Sequence, residues 1–204
     1  MSTILDLIVT ASSDDCDVSW DGSAWVLSLV ALSQRVGYTN DTNYKLGGGM
    51  RFLNVTIPKY AIIDTAYLTL RAYATRTGTT VNSKIKGEAA DNPVTFSDLP
   101  DYQGRAKTTA AVNWNSIPAW TLDIDYNSPE IKTIIQEIVN RAGWASGNAL
   151  VIFWDDHDDL SSHATGCRRQ GYSYDTSTTY CARLHIEYTP PPAGGARSFG
   201  YIMG

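Results

Sequence analysis

Hydrophobic and polar residues alternate along much of the chain, and this period of two predicts β-strands. In the segment 64–74, Leu68 and Leu70 face one way. Thr69 and Arg71 face the other way, as expected for a strand with one buried face. Shorter segments with the same pattern are 25–32, 50–57, 80–88, 111–114, 120–124 and 183–188. Turn-forming Gly, Pro, Asn and Asp separate these segments, so the sequence predicts an all-β, jelly-roll-like sandwich.

One segment has the period of an α-helix instead. Ser128 is a suitable N-cap, Pro129 suits the first helical position, and Gly143 offers a stop. The apolar positions recur at the spacing i, i+3, i+4, i+7: Ile131, Ile134, Ile135 and Ile138. The sequence therefore predicts one packed helix over about 129–141.

Two further segments refine this picture. Residues 149–154 are apolar on both faces, which predicts a central strand covered by the preceding helix. Residues 89–110 have weak periodicity and several turn residues, which predicts a long surface loop.

Composition and charge limit the classes of function. The chain has 204 residues, 43% of them hydrophobic, which predicts a single domain over 1–189. The net charge is −5 and no basic residues cluster beyond Arg168-Arg169, so no nucleic-acid partner is expected. No apolar run is long enough to span a bilayer, so no membrane partner is expected either. The absence of a basic residue before Arg35 predicts cytoplasmic synthesis without a signal peptide.

The last residues differ from the rest of the chain. A stiff Pro190-Pro-Pro192 spacer is followed by Gly-Gly and an apolar end, so residues 190–204 are predicted to form a C-terminal arm. Such an arm either frays or docks on a neighbouring subunit as an added strand. The assembly residues would be Phe199, Tyr201, Ile202 and Met203.

Three cysteines, an odd number, argue against a disulfide framework. Cys167 and Cys181 flank a predicted hairpin and could be bridged across it. The alternative is three small, semi-buried thiols, which cytoplasmic synthesis favours.

Several segments resemble one family of β-sandwich modules. They are residues 50–58, 66–70, 85–93 and 112–115, together with the predicted helix through to 144–148. Over about 50–189 the chain resembles the DNRLRE-type modules, which are related to carbohydrate-binding modules and occur on bacterial surface proteins and in phage genomes. The resemblance implies a non-catalytic structural protein of a virion or similar surface assembly, such as a phage head-decoration, fibre or tail accessory protein. It would dock through its arm, either on further copies of itself to form a homo-oligomer or on other virion or surface proteins. The alternative function is that of a carbohydrate-binding module.

Aromatic side chains near loops and strand ends are the candidates for glycan binding. Aromatic residues make up 11% of the chain, and sugar rings pack their apolar C–H faces on such side chains. The candidates are Tyr102, Trp114, Trp120 and Trp144. The alternative is that these residues belong to the core.

Acidic residues at strand ends are the candidates for a structural calcium ion, which prefers oxygen ligands. Asp155 and Asp156 begin the densest ionisable cluster, and Glu88 and Asp91 lie where a strand meets a turn. Solvated loops and turn-forming residues explain the same positions without a metal. No other cofactor is expected.

Motifs that indicate catalysis are missing. The sequence contains neither Gly-x-Ser-x-Gly nor His-Glu-x-x-His. His163 and His185 lie far from any recognisable nucleophile. We therefore expect a protein that is not an enzyme.

Overall fold

The computed structural model describes residues 1–192, which form twelve strands in two antiparallel sheets together with two α-helices. The strands are β1 (Thr3–Ile8), β2 (Asp15–Trp20), β3 (Trp25–Ser28), β4 (Ser33–Gly37), β5 (Tyr44–Phe52), β6 (Ile62–Arg71), β7 (Ser83–Glu88), β8 (Lys107–Trp114), β9 (Asp125–Asn127), β10 (Leu150–Asp155), β11 (Arg168–Tyr172) and β12 (Arg183–Thr189). The helices are α1 (Leu99–Gly104) and α2 (Lys132–Val139), and Ser12–Asp14 form a single turn of 3-10 helix. The prediction of an all-β sandwich is confirmed.

The smaller sheet has the strand order β1-β12-β6-β9. The larger sheet has the order β11-β4-β5-β10-β7-β8, and the β2–β3 hairpin joins it because β2 pairs with β5. The main core lies between the sheets, with Leu68 and Ile186 on one side and Met50 and Ile152 on the other. Along β6, buried residues such as Leu68 alternate with partly exposed ones, which is the alternation that the sequence predicted. Across residues 1–192, no helix has the length and apolar character needed to cross a bilayer.

Helix α2 packs between β6 of the smaller sheet and β7 and β8 of the larger one. Gly87 makes room for it, since a Cβ there would lie 2.7 Å from Cδ1 of Ile138. The helix starts three residues later than predicted, at Lys132, and Ile131 precedes it without a side-chain cap. The Ser128 hydroxyl instead accepts a hydrogen bond from the backbone N–H of Leu68. Ser128 therefore links the segment that precedes α2 to strand β6.

Strand β10 is central and fully buried, as predicted, but the segment that covers its second face is not α2. Val151 and Phe153 belong to a second cluster of buried side chains on the outer face of the larger sheet, together with Cys16, Phe96 and Tyr102. The prediction of a long surface loop over residues 89–110 is therefore wrong in part. The segment contains α1 and the start of β8, and its apolar side chains shield β10 from water.

All three cysteines are free and buried. The thiol of Cys167 donates to the carbonyl oxygen of Thr79, and that of Cys181 lies 3.5 Å from the carbonyl oxygen of Val9. Of the two alternatives that the sequence allowed for Cys167 and Cys181, the structure has free thiols, and they are buried rather than semi-buried.

Candidate functional site

The four aromatic residues predicted to bind glycans are all interior. Tyr102, Trp114, Trp120 and Trp144 are between 0% and 6% exposed. Trp120 stacks between Tyr126 and Trp154, with ring centroids 4.9 and 5.9 Å away. Their positions near turns had suggested that these rings are exposed. The structure corrects this expectation, because other side chains cover the faces of the rings.

The four carboxylates predicted to bind calcium already have partners in the protein. Glu88 pairs with Arg105 at 2.9 Å and Asp91 with Arg141 at 2.8 Å. The Asp155 carboxylate lies 3.3 Å from the Lys107 ammonium group. No group of three His, Cys, Asp or Glu side chains suited to a metal ion occurs within residues 1–192. The structure therefore does not assemble these acids into a single site.

Asp156 has a structural role in the turn after β10. Its carboxylate accepts hydrogen bonds from the backbone N–H groups of Leu160, at 2.7 Å, and Ser161, at 3.2 Å. Burial nevertheless raises the pKa of Asp156 from 3.8 to about 6, against the lowering effect of these hydrogen bonds. The folded protein therefore holds this proton more tightly than the unfolded chain does.

This pKa shift predicts a pH dependence of stability. The contribution of Asp156 is fully present below pH 3.8 and is lost as the pH rises to about 6, because the unfolded chain loses its proton first. We expect Asp156→Asn to remove this contribution. Urea unfolding of both proteins from pH 4 to 7 should show the stability of the wild type falling relative to that of the variant. A difference that is independent of pH would contradict the prediction.

A small cavity lies on the outer face of the larger sheet, next to helix α1, and has a volume of about 230 Å³. We call it the α1 cavity. Its lining combines an apolar wall with several hydrogen-bonding groups: Val18, Trp25, Tyr102, Gln103, Lys107 and His157. Tyr102 is the one residue of the predicted glycan set that the structure brings to it.

Local sequence explains how Tyr102 reaches this position. Asp98 caps α1, because its carboxylate accepts the backbone N–H of Asp101 at 2.8 Å. Arg105, at the end of the helix, donates to Glu88 on β7, to Asp101 and to the carbonyl oxygen of Thr95. This buried guanidinium fixes the segment before β8 against the sheet. The guanidinium carbon lies 4.4 Å from the centre of the Phe96 ring, and Phe96 in turn packs against Tyr102, with ring centroids 6.2 Å apart.

The polar groups of the α1 cavity carry little net charge. The charge of Lys107 is balanced by Asp155, and its ammonium group lies 4.9 Å from the centre of the Phe153 ring. Burial lowers the pKa of His157, which favours the neutral imidazole. Burial also raises the pKa of Tyr102 well above its usual value, so its hydroxyl group stays protonated.

Two polar atoms of this lining have no hydrogen-bond partner among residues 1–192, namely the hydroxyl oxygen of Tyr102 and Nε2 of His157. Gly47 makes room for the imidazole, since a Cβ there would lie 2.8 Å from this Nε2. Trp25 meets His157 edge-on, with ring centroids 4.8 Å apart. Both atoms are enclosed by protein and have almost no surface open to solvent.

The sequence did not single out Trp25, Gln103 and Lys107 as site residues. The available signal was Asp98 followed by Pro100, a pattern typical of a helix start. It would have predicted α1 but not the partners of its side chains.

A second region of interest is the free edge of β3 together with the residues that follow it, 25–32, which we call the β3 edge. Within the part of the chain that the structure describes, β3 pairs only with β2. Val26, Val30 and Leu32 are 45%, 69% and 60% exposed. A concavity of about 580 Å³ runs along this segment and is closed by residues 97–99. Exposed apolar strand edges of this kind favour pairing with another chain.

The fold and these two regions define the class of protein, an all-β sandwich with a small polar cavity and an exposed apolar edge. No protein-family model matches the chain, and a search of curated proteins also finds no match.

Proposed function

We propose that the protein is a non-catalytic structural component of a virion or comparable surface assembly, and that it associates through its C-terminal arm. The β3 edge is the observation that carries this proposal. A strand edge without a neighbour presents unpaired backbone N–H and C=O groups, and here it is combined with exposed valine and leucine side chains. The resemblance to surface and phage modules supports the same class of function.

We propose that the occupant of the β3 edge is the arm of a second copy of this chain. The predicted assembly residues Phe199, Tyr201, Ile202 and Met203 lie outside the described residues, which end at 192. In the sequence, Phe199, Tyr201 and Met203 are spaced two residues apart, so in an added strand they would share one face, and Ile202 would lie on the other. The arm also carries Arg197, which complements Asp98 in the lining of the concavity.

This proposal predicts a mass that depends on the arm. We expect the full chain to form oligomers, and a chain lacking residues 195–204 to be a folded monomer, because the added strand is lost. Val30→Lys should also give a monomer, since it places a charge on the β3 edge at a position that is 69% exposed. The measurement is light scattering after size-exclusion chromatography, with circular dichroism to verify folding.

The matched control is Ile4→Lys. Ile4 is 61% exposed and lies on β1, one of the two edge strands of the other sheet. We expect this variant to form the same oligomer as the wild type. An oligomer that survives loss of residues 195–204 would exclude the arm, and an oligomer disrupted by Ile4→Lys but not by Val30→Lys would move the contact to the smaller sheet.

A further inference from the structure

Three arginines that lie far apart in the sequence meet at the β11 end of the larger sheet. They are Arg35 on β4, Arg76 in the segment after β6, and Arg168 on β11, and we call them the arginine cluster. We infer that this cluster binds a dianionic oxyanion, either free phosphate or the phosphate group of a small molecule. The inference does not depend on the assembly proposal.

The side chain of Gln170 brings the arginine cluster together. Its carboxamide oxygen accepts a hydrogen bond from Nε of Arg76 at 2.8 Å and another from Nε of Arg168 at 3.0 Å. Gln170 is 7% exposed and lies directly opposite Arg35 in the pairing of β11 with β4, so these two side chains share one face of the sheet. Two guanidinium groups therefore meet at one uncharged oxygen atom, with a third across the strand pair.

The positive charge of the arginine cluster is only partly balanced by the described residues. Among residues 1–192, Arg35 pairs with Asp17, whereas neither Arg76 nor Arg168 forms an ion pair with a carboxylate. Burial, together with the positive charges of Arg76 and Arg35, lowers the pKa of Arg168. Three arginines and one aspartate leave a net charge of about +2, which a dianion neutralises and a monocarboxylate does not.

The arginine cluster also has donors that a ligand can reach. The side chain of Arg35 is 23% exposed, and Arg76 and Arg168 are half-buried. Within residues 1–192, Arg168 donates from its side chain only through Nε, and Arg76 only through Nε and Nη1. The remaining N–H groups can donate to an oxyanion, because the planar guanidinium matches the oxygen atoms of a phosphate group in pairs.

The backbone fixes the positions of these arginines before any ligand binds. Arg76 exchanges two backbone hydrogen bonds with Trp120, at 2.8 and 2.9 Å. Arg35 and Arg168 lie on paired strands. A site held in this way loses little conformational freedom on binding, which favours affinity.

A cavity of about 380 Å³ adjoins the arginine cluster on the side of Arg35 and Gln170. Ser33 and Tyr73 contribute to its lining, so it offers a hydroxyl group and an aromatic ring beside the charged groups. Its volume lies within the ~300–1,000 Å³ typical of sites for small molecules. The cavity can therefore hold the organic part of a phosphorylated molecule.

The test is isothermal titration calorimetry of the full chain with sodium phosphate at a pH of about 8, with the ionic strength kept constant by sodium chloride. We expect saturable binding. Arg76→Met and Arg168→Met should each weaken it at least about tenfold, because each removes charge-assisted hydrogen bonds to the anion. Without phosphate, the melting temperature of Arg168→Met should stay close to that of the wild type, since the variant also removes a repulsion between like charges.

The matched control is Arg141→Met. The side chain of Arg141 is 33% exposed, but it is paired with Asp91 at 2.8 Å, and we expect this variant to bind phosphate as the wild type does. The inference is overturned if phosphate does not bind saturably, or if Arg168→Met binds it unchanged, which would show a purely structural cluster. It is also overturned if Arg141→Met weakens binding as much as Arg168→Met, or if acetate binds as tightly as phosphate.

Phenyl phosphate distinguishes the two sources of the phosphate group in the same experiment. Tighter binding of phenyl phosphate than of inorganic phosphate would assign the site to a phosphorylated small molecule whose organic part fills the cavity. Equal or weaker binding would assign it to free phosphate.

Discussion

Replacing Trp120 with alanine is expected to lower the free energy of unfolding by about 3–5 kcal/mol. Trp120 is 0% exposed and stacks between Tyr126 and Trp154 in the main core. Its loss leaves a large cavity that neighbouring rings can fill only in part. Urea unfolding followed by circular dichroism measures the change. Lost glycan binding in this variant would therefore report unfolding, and it would not identify Trp120 as a ligand contact.

Trp20→Ala is the matched control for this prediction. Trp20 is half-buried at the end of β2 and meets Trp25 edge-on, with ring centroids 5.7 Å apart. We expect a loss of about 1 kcal/mol, because much of the ring is already in contact with water. Equal losses for Trp20→Ala and Trp120→Ala would contradict the packing described for the core.

The second large effect is expected for Arg169→Met, which should destabilise the fold by about 3 kcal/mol. Arg169 is buried, and its guanidinium donates to the carbonyl oxygens of Pro118 at 2.6 Å, Ile117 at 2.7 Å and Gly78 at 2.9 Å. Methionine fills similar space but leaves these carbonyls without their donors, at about 1–3 kcal/mol for each one that water cannot reach. The side chain of Arg169 ties two loops to β11. Thermal and urea unfolding measure the loss.

Arg168→Met provides the neighbouring control. The half-buried side chain of Arg168 donates to Gln170 at 3.0 Å, and the change leaves the backbone of β11 intact. We expect an effect below about 1 kcal/mol. If both arginine variants lost the same stability, charge rather than the carbonyl contacts of Arg169 would be responsible.

Much of the fold could be predicted from the sequence because burial leaves a local pattern. The alternation around Leu68 and Leu70 predicted β6, and the isoleucine spacing predicted the buried face of α2. The continuous apolar run predicted β10 as a central strand. In each case, the residues that carry the signal are neighbours in the chain, and their period alone shows which side is covered by protein.

The α1 cavity could not be predicted in this way. Residues 89–106 contain turn residues that are typical of a surface loop, yet Arg105 holds them on the sheet through Glu88 and Thr95. This contact buries Tyr102, which sequence position alone had suggested to be exposed.

The sequence by itself determined the all-β class, the alternation of its strands and the apolar face of its main helix. The tertiary structure decided which segment covers the outer face of β10, which aromatic residues are buried, and which polar groups meet at the α1 cavity. The physical reason is that hydrophobic periodicity records only whether a position is covered. The identity of the covering residue depends on contacts such as that of Trp25 with His157, between residues far apart in the chain.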